Sequence, residues 1–276
     1  MSTWLITGCS TGLGRALAEA VLARGDSVAV TARDADTVRD LAEAHPDTAL
    51  ALALDVTSAD QVTAAVRATE ERFGAIDVLV NNAGYGYRAA VEEGDDDDVR
   101  ALFDTHFFGS VAMIKAVLPG MRARRSGAIV NLSSIGARIS PAGSGYYAAA
   151  KAAVEGMTAS LRREVDPLGI TAMIVEPGGF RTDFAGRSLT QSARAIDDYA
   201  ATAGPRRKEN DRVHGTQPGD PARAAEAIIT VLASKDPPLM LVLGTDALQG
   251  FRGALDALRE DLDAWEQVSA STDFAD

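Results

Sequence analysis

The N-terminal residues combine a buried strand, a glycine-rich turn and the start of a helix. The apolar run at residues 4–7 predicts the strand, glycines at positions 8, 12 and 14 predict the turn, and apolar residues at helical spacing over 13–21 predict the helix. Glycine lets a backbone turn sharply and approach a ligand closely, and the free N–H groups of a helix N-terminus bind anions. In this order the three features predict a dinucleotide-binding turn rather than a purely structural one.

Short apolar runs continue along the chain and alternate with longer helical patterns. Most of these runs lack polar alternation, which is typical of parallel strands that helices cover on both faces. With 276 residues and 46% hydrophobic content, the chain is long enough for one large α/β domain. The sequence therefore predicts a doubly wound parallel sheet over residues 1–276. The six further strand candidates are 27–32, 49–54, 76–80, 128–132, 171–175 and 239–243.

The charge balance limits the classes of partner. Lys plus Arg number 27 against 39 Asp plus Glu, so the net charge of −12 repels nucleic-acid phosphates and anionic membranes. We find no apolar run that approaches the roughly twenty residues of a membrane helix. Cys9 is the only cysteine, which excludes an internal disulfide, and no metal cluster is predicted. We expect a cytoplasmic protein without nucleic-acid or membrane partners.

A tyrosine and a lysine four residues apart form the second candidate feature. Three alanines separate Tyr147 from Lys151, so a helix is favoured and both polar groups lie on one of its faces. An ammonium about 4 Å from a phenol stabilises the phenolate by roughly 4 kcal/mol at an effective dielectric constant near 20. The pair therefore predicts a lowered Tyr147 pKa and proton transfer near neutral pH. The alternative is a surface pair at helical spacing.

Two segments late in the chain have distinct patterns. Residues 183–219 are polar and contain several glycines, which predicts a substrate loop or lid, with disorder as the alternative. Residues 245–276 form a C-terminal helical extension, with apolar residues at steps of three and four from Leu248 to Trp265. This stripe packs either on the core or on a second subunit. The acidic run at residues 95–98 is interpreted as a solvated helix cap rather than a metal site.

Five motifs occur in a fixed order: Thr7-Gly8-x-x-x-Gly12-x-Gly14, Asn81-Asn82-Ala83-Gly84, Ser134, Tyr147-x-x-x-Lys151 and Pro177-Gly178-x-x-x-Thr182. Together they resemble the short-chain dehydrogenase/reductase family, in its non-extended branch and a subgroup resembling hydroxysteroid and retinol dehydrogenases. The resemblance implies a seven-stranded Rossmann sheet, in agreement with the seven strand candidates. It also implies a homodimer or homotetramer that pairs through helices at about 97–121 and 146–165.

The resemblance implies roles for individual residues. Ser134 would hold the substrate oxygen, Tyr147 would exchange the proton, and Lys151 would hold the nicotinamide ribose. The residues implied to bind the cofactor are Gly8, Ser10, Thr11, Gly12, Leu13, Gly14, Arg33, Asp55, Val56, Asn81, Ala83, Gly84, Tyr147, Lys151, Pro177, Gly178 and Thr182.

Arg33 follows the second predicted strand and suits the 2'-phosphate of NADP(H). Asp34 leaves NAD(H) open, because a shift of one residue would direct its carboxylate at the ribose. His106 takes the place of a family asparagine that holds a water linking the lysine to solvent. We interpret His106 either as part of the proton relay, titrating near neutral pH, or as a packing variant.

These features predict an NADP(H)-dependent oxidoreductase that interconverts a ketone or aldehyde with an alcohol. Tyr85, Tyr87, Arg88 and residues 140–145 would surround the nicotinamide end, where few charges are expected and a mostly apolar substrate fits. The alternatives are an NAD(H)-dependent member of the same family, or a non-catalytic dinucleotide-binding or interaction protein. A nucleotide-sugar epimerase or dehydratase is disfavoured by the glycine spacing and the short C-terminal part.

Overall fold

Seven parallel strands form the central sheet, in the order β3-β2-β1-β4-β6-β7-β9. The computed structural model describes residues 1–186, 188–213 and 215–274. Each of the seven predicted apolar runs supplies one of these strands, which confirms the Rossmann-type sheet. The strands are β1 Thr3–Ile6, β2 Ser27–Ala32, β3 Ala49–Ala53, β4 Val78–Asn81, β5 Gly86–Arg88, β6 Gly127–Leu132, β7 Ile170–Pro177, β8 Leu189–Gln191 and β9 Met240–Leu243.

Helices cover both faces of this sheet. The α-helices are α1 Gly12–Ala23, α2 Arg39–Ala44, α3 Ala59–Phe73, α4 Asp96–Phe103, α5 Gly109–Arg124, α6 Gly136–Ile139, α7 Gly145–Val165, α8 Gly204–Val213, α9 Pro221–Leu232 and α10 Thr245–Ala270. Short 3₁₀ helices are Ala35–Val38, Val91–Glu93, Asp166–Leu168, Asp183–Ala185 and Asp197–Tyr199. A π-helical segment, Asp104–Phe108, joins α4 to α5.

Consecutive residues of the central strands lie in opposite core layers. Ile6 packs with Leu17 of α1 and Ile228 of α9, whereas Leu5 packs with Met113 of α5 on the other face. Because both layers exclude water, every residue of β1 and β2 is buried. This two-sided burial explains why the strand sequences are apolar without alternation.

The strand order reverses at β1. This strand lies between β2 and β4, with Leu5 opposite Ala29 on one side and Leu79 on the other. The crossovers from β1 to β2 and from β4 to β6 therefore run in opposite directions along the sheet. Such a reversal leaves a crevice beyond the carboxyl ends of the strands, where ligands bind in open α/β sheets.

The run Asp96–Arg124 is helical throughout its 29 residues. Its most apolar 18-residue window has a mean hydropathy of 1.3, so by length and composition alone it is able to cross a membrane. The expectation that no run approaches this length is therefore wrong. Core helices of globular proteins meet the same criteria, and Met113, Val117 and Met121 are buried against the sheet. Asp95 caps the run by accepting hydrogen bonds from the N–H groups of Asp97 and Asp98.

The predicted substrate segment at 183–219 contains more regular structure than its composition indicated. Its strand β8 pairs in parallel with β5, with Gly86 opposite Leu189, and α8 follows. Arg187 and His214 of this segment lie outside the described residues. Strands of three residues are too short for a periodic pattern, which explains why β5 and β8 were not predicted.

The C-terminal stripe does not pack on the core beyond the first turns of α10. Leu255, Leu258, Leu262 and Trp265 are 51–65% exposed. Of the two interpretations of this stripe, packing on the core is therefore wrong for this part of the helix. The other one, packing on a second subunit, stays a prediction.

Candidate active site

A cleft of about 980 Å³ lies at the carboxyl ends of the strands. This volume is at the upper end of the roughly 300–1,000 Å³ typical of ligand pockets. The predicted site residues that line the cleft are Gly8, Ser10, Thr11, Gly12, Leu13, Arg33, Asp55, Val56, Ala83, Gly84, His106, Ser134, Tyr147, Lys151, Pro177, Gly178 and Thr182. Gly14 and Asn81 do not line it.

The glycine turn forms one wall of the cleft. Gly8 and Gly12 have φ angles of +74° and +66°, which favour glycine over other residues. The Asn82 side chain holds this turn, since its Nδ2 donates to the carbonyl oxygens of Thr7 (2.8 Å) and Gly8 (2.9 Å). The backbone between β1 and α1 that borders the cleft fits a pyrophosphate, because no Cβ projects from its glycines.

Two predicted cofactor residues have a different role. A Cβ at Gly14 would lie 2.3 Å from Asn82 Nδ2 and 2.5 Å from the Gly8 carbonyl oxygen, so Gly14 permits close packing beneath the turn. Asn81 is buried in β4, where its Nδ2 donates to Asn131 Oδ1 at 2.8 Å. Asn82, the next residue of the same motif, lines the cleft instead. Neighbouring side chains along a strand point to opposite sides, which explains why Asn82 lines the cleft and Asn81 does not.

Ser134, Tyr147 and Lys151 meet at the floor of the cleft. Ser134 follows β6, whereas Tyr147 and Lys151 lie one turn apart on α7. The Tyr147 hydroxyl is hydrogen-bonded to Ser134. Lys151 Nζ lies 5.9 Å from the centroid of the Tyr147 ring and donates to the Leu132 carbonyl oxygen at 2.7 Å. The neighbouring Ser133 instead bonds Glu155 Oε1 at 2.5 Å, away from Tyr147.

The pKa of Tyr147 differs from the sequence-based expectation. Burial of the phenol is the largest effect and raises its pKa above the usual value. The Ser134 hydrogen bond opposes this rise, followed by the positive charges of Arg88 and Arg206. Lys151 is not among the charges that lower the Tyr147 pKa, and its own burial lowers the Lys151 pKa to about 8. The expectation of a Tyr147 pKa lowered by Lys151 is therefore wrong for the protein without a ligand.

His106 lies in the π-helical segment and packs under the cleft wall. Its ring is edge-on to Tyr147, with 5.6 Å between ring centroids, and its Nε2 lies 3.1 Å from the Tyr85 nitrogen and 2.8 Å from the Tyr85 oxygen. Nδ1 is buried without a hydrogen-bond partner in the described residues. Burial, then the nearby Lys151 charge, lowers the His106 pKa well below 6.5, so the expected titration near neutral pH is wrong.

Arg33 lies at the opposite end of the cleft, just after β2. Its side chain is exposed, lines the cleft and makes no ion pair within the described part of the chain. Asp34 is directed elsewhere, since its carboxylate accepts a hydrogen bond from the Asp36 N–H at 3.0 Å and caps a short helix. Asp55 also lines this end, and hydrogen bonds from Thr57 lower its pKa.

A buried acid pair, Glu155 and Glu176, lies near Ser134, Tyr147 and Lys151. Arg138 bonds Glu155 Oε2 at 2.5 Å and Glu176 Oε1 at 3.0 Å. Glu176 is fully buried, and its Oε2 has no hydrogen-bond partner among the described residues. Burial is the largest effect that raises the Glu176 pKa to about 8, followed by its interaction with Glu155. The raised pKa favours the protonated form of Glu176.

The proton on Glu176 makes the free energy of unfolding depend on pH. Between a reference pKa of 4.5 and the folded value of about 8, only the folded state holds the Glu176 proton. The stabilisation by this proton is complete below pH 4.5 and is lost as the pH rises through about 8. Over this range the free energy of unfolding falls by up to about 1.4 kcal/mol per pH unit. Glu176→Gln keeps the neutral form, so we expect this slope to vanish. Urea unfolding of both proteins from pH 5 to 9 measures the difference, and parallel curves would contradict the assignment.

The substrate end of the cleft contains more charges than expected. Arg88, Arg206 and Glu209 line it beside Ser144 and Tyr147. The expectation that few charges line this pocket is wrong, because Arg206 and Glu209 come from α8, which begins more than fifty residues after Lys151. Tyr87, which was expected here, is buried under the cleft, with its hydroxyl 3.3 Å from Asp98 Oδ2.

The fold is a Rossmann-type α/β sheet, and its cleft is lined by a glycine turn and by a buried tyrosine. A sequence profile described as short chain dehydrogenase matches residues 2–193. The chain belongs to this family of oxidoreductases. Its relatives include oxidoreductase BOA17 of Botryotinia fuckeliana, which is 40% identical over 98% of both chains. A 3-ketodihydrosphingosine reductase of Bacteroides thetaiotaomicron is 35% identical over 87% of both chains.

The fold has a match among solved structures. A short-chain dehydrogenase from Streptomyces avermitilis is 44% identical and superimposes with a TM-score of 0.93, over 99% of this chain and 98% of the other. The similarity therefore extends through the segment at 183–219 and into the C-terminal helix.

Proposed function

We propose that this oxidoreductase interconverts a ketone or aldehyde with an alcohol, using NADP(H) and Tyr147 as the proton donor and acceptor. The observation that carries the proposal is the meeting of Ser134, Tyr147 and Lys151 in the cleft that the glycine turn borders. A bound nicotinamide would supply or accept the hydride. The glycine turn would hold the pyrophosphate, and Lys151 would hold the nicotinamide ribose.

The side chains around Tyr147 account for the proton step. As a carbonyl becomes an alcohol, negative charge develops on its oxygen, and the hydroxyl groups of Ser134 and Tyr147 would meet that oxygen. Tyr147 then gives up its proton, and the resulting phenolate is stabilised by Ser134 and by the charges of Arg88 and Arg206. Lys151, whose pKa of about 8 keeps it positively charged at neutral pH, would bind the nicotinamide ribose instead.

A cofactor preference for NADP(H) is supported by Arg33. An exposed guanidinium without an ion-pair partner in the described residues is available for the 2'-phosphate, and Asp34 is occupied in capping a helix. We expect Arg33→Ala to raise the NADPH dissociation constant about tenfold or more and to change that of NADH by less than about twofold. Quenching of protein fluorescence measures both constants. An equal loss of affinity for NADPH and NADH would favour the NAD(H) alternative.

His106 is proposed to position Tyr147 rather than to titrate. Its ring fills the space between Gly84 and Tyr147, and Nδ1 is available for a buried water. We expect His106→Ala to lower kcat about tenfold, with NADPH affinity retained and the pH profile shifted, because the environment of the Tyr147 hydroxyl changes. His106→Asn should restore part of the rate. Full turnover and an unchanged profile in His106→Ala would favour the packing variant.

The direct experiment is a screen of ketones, aldehydes and alcohols with NADPH and NADH, followed by the absorbance of the reduced nicotinamide. Turnover with NADPH that requires Tyr147 supports the proposal. Cofactor binding without turnover of any compound would favour the non-catalytic alternative. We further propose a cytoplasmic homodimer or homotetramer. Support comes from the family resemblance, the single cysteine and the exposed apolar residues of α10, and light scattering measures the assembly.

A further inference from the structure

Arg88 is a buried arginine whose hydrogen bonds are incomplete. It ends β5, lines the cleft and is 8% exposed. Its Nη1 donates to Ser144 Oγ, but its Nε is buried with no partner among the described residues. A buried donor without an acceptor is unfavourable, and more so when the group is charged. The site therefore contains an unused donor beside Tyr147.

A second arginine shares the same acceptor. Arg206 of α8 donates from Nε to Ser144 Oγ at 3.3 Å, so two guanidinium groups meet at one hydroxyl. Burial is the main cause that lowers the Arg88 pKa to about 10, and repulsion by Arg206 is the second. Two like charges in a partly buried site are unfavourable unless an anion is present.

Glu209 neutralises only one of the two charges. Its Oε2 lies 3.9 Å from Arg88 Nη2 and in contact with Arg206 Nη1. The pair of arginines therefore already accepts a carboxylate, and a net charge of +1 remains on the three side chains. The N-terminus of α7 adds to this field, since the helix begins at Gly145, directly after Ser144.

The cluster is not needed to attach α8 to the body of the protein. Arg207, the next residue of α8, bonds Glu93 Oε2 at 2.7 Å and the Ser192 carbonyl oxygen at 2.9 Å. Glu93 is buried, and Arg207 does not line the cleft. Arg207 therefore attaches α8, whereas Arg88 and Arg206 line the cleft.

On the basis of the proposed function, we infer that the substrate is an oxo acid whose carboxylate binds Arg88 and Arg206. Ser144 directly precedes α7 and lies three residues before Tyr147, and the charges of both arginines act on the Tyr147 phenol. A substrate that reaches both the arginines and Tyr147 therefore carries its carboxylate a few carbons from the carbonyl group. The oxo acid accepts hydride at its carbonyl carbon and a proton from Tyr147, and the carboxylate is unchanged.

The test compares acids with their methyl esters, which have the same carbonyl but no negative charge. Binding of levulinate and methyl levulinate to the protein with NADP⁺ is measured by ligand-observed NMR, which needs no turnover. We expect the acid to bind about tenfold more tightly, a difference of about 1.4 kcal/mol. Arg88→Gln should remove most of this preference, and Glu209→Gln should increase it. Lys208→Gln is the matched control, because it removes a positive charge from α8 at an exposed residue that does not line the cleft, and it should leave the ratio of the two affinities unchanged.

Kinetics with acetoacetate, levulinate and their methyl esters separate the inference from the proposed function. Ester turnover without a preference for the acids would overturn the oxo-acid inference and leave the oxidoreductase proposal standing. Acid-selective binding that depends on Arg88, without turnover of any probe, would support the anion site and count against the proposed reaction. An acid-to-ester affinity ratio that stays the same in Arg88→Gln and Glu209→Gln would overturn the inference, because both variants change the charge of the site.

Discussion

Tyr147→Phe is expected to lower kcat by about 10²–10⁴-fold while the NADPH dissociation constant changes by less than about threefold. The phenylalanine ring keeps the contacts with His106 and Phe184, whose ring centroids lie 5.6 and 5.9 Å from that of Tyr147. Only the hydroxyl is removed, and with it the proton donor to the substrate oxygen. Single-turnover kinetics and fluorescence titration measure the two quantities separately.

Tyr146 supplies a matched control for this variant. It is the adjacent residue of α7, but its hydroxyl donates to the Val91 carbonyl oxygen at 2.6 Å and it does not line the cleft. Tyr146→Phe loses one hydrogen bond, so we expect a loss of about 1 kcal/mol in stability and nearly unchanged turnover. Comparable turnover in both phenylalanine variants would contradict the role of Tyr147.

Gly14→Ala is expected to weaken NADPH binding about 100-fold and to lower the free energy of unfolding by about 1–3 kcal/mol. The added methyl group would lie 2.3 Å from Asn82 Nδ2 and 2.5 Å from the Gly8 carbonyl oxygen. Asn82 cannot move away without breaking its hydrogen bonds to Thr7 and Gly8. The turn must therefore deform, although Gly14 itself does not line the cleft. Calorimetric titration and urea unfolding test the two effects.

The control for this variant is Gly253→Ala. Gly253 lies within α10, and among the described residues no heavy atom outside the adjoining helix backbone comes within 4 Å of the position of its added Cβ. Alanine in a helix interior is more stable than glycine by about 0.5–1 kcal/mol, so we expect a small gain in stability and unchanged cofactor affinity. If Gly14→Ala also kept its stability and its cofactor affinity, neither property would depend on the close packing beneath the turn.

The sheet was predictable because its strands are buried on both faces and read as apolar runs. The same reasoning could not find β5 and β8, because strands of three residues are too short to show an apolar run or an alternating pattern. Helix α9 was predictable from its capping residues, and the structure has Asp220 accepting hydrogen bonds from the N–H groups of Ala222 and Arg223. Exposure of α10 was not predictable, because an apolar stripe does not specify which surface covers it.

The site was predictable where function depends on residues close together in the sequence. Tyr147 and Lys151 share a helix, and the glycines share a turn, so spacing alone places them. The pKa of Tyr147 was wrongly predicted because burial outweighs the nearby ammonium, and burial is a property of the whole fold. The charged substrate end was missed because Arg88 and Arg206 come together only through the packing of α8 against β5 and α7.

Transfer of deuterium from the reactive C4 position of labelled NADPH tests the central claim most directly. The protein is incubated with a ketone that it turns over, and the alcohol is examined by NMR and mass spectrometry. Direct hydride transfer beside Tyr147 predicts that each molecule of alcohol carries one deuterium on the former carbonyl carbon, from only one of the two C4 positions. Cofactor oxidation without deuterium in the alcohol would contradict the account, whatever the rate.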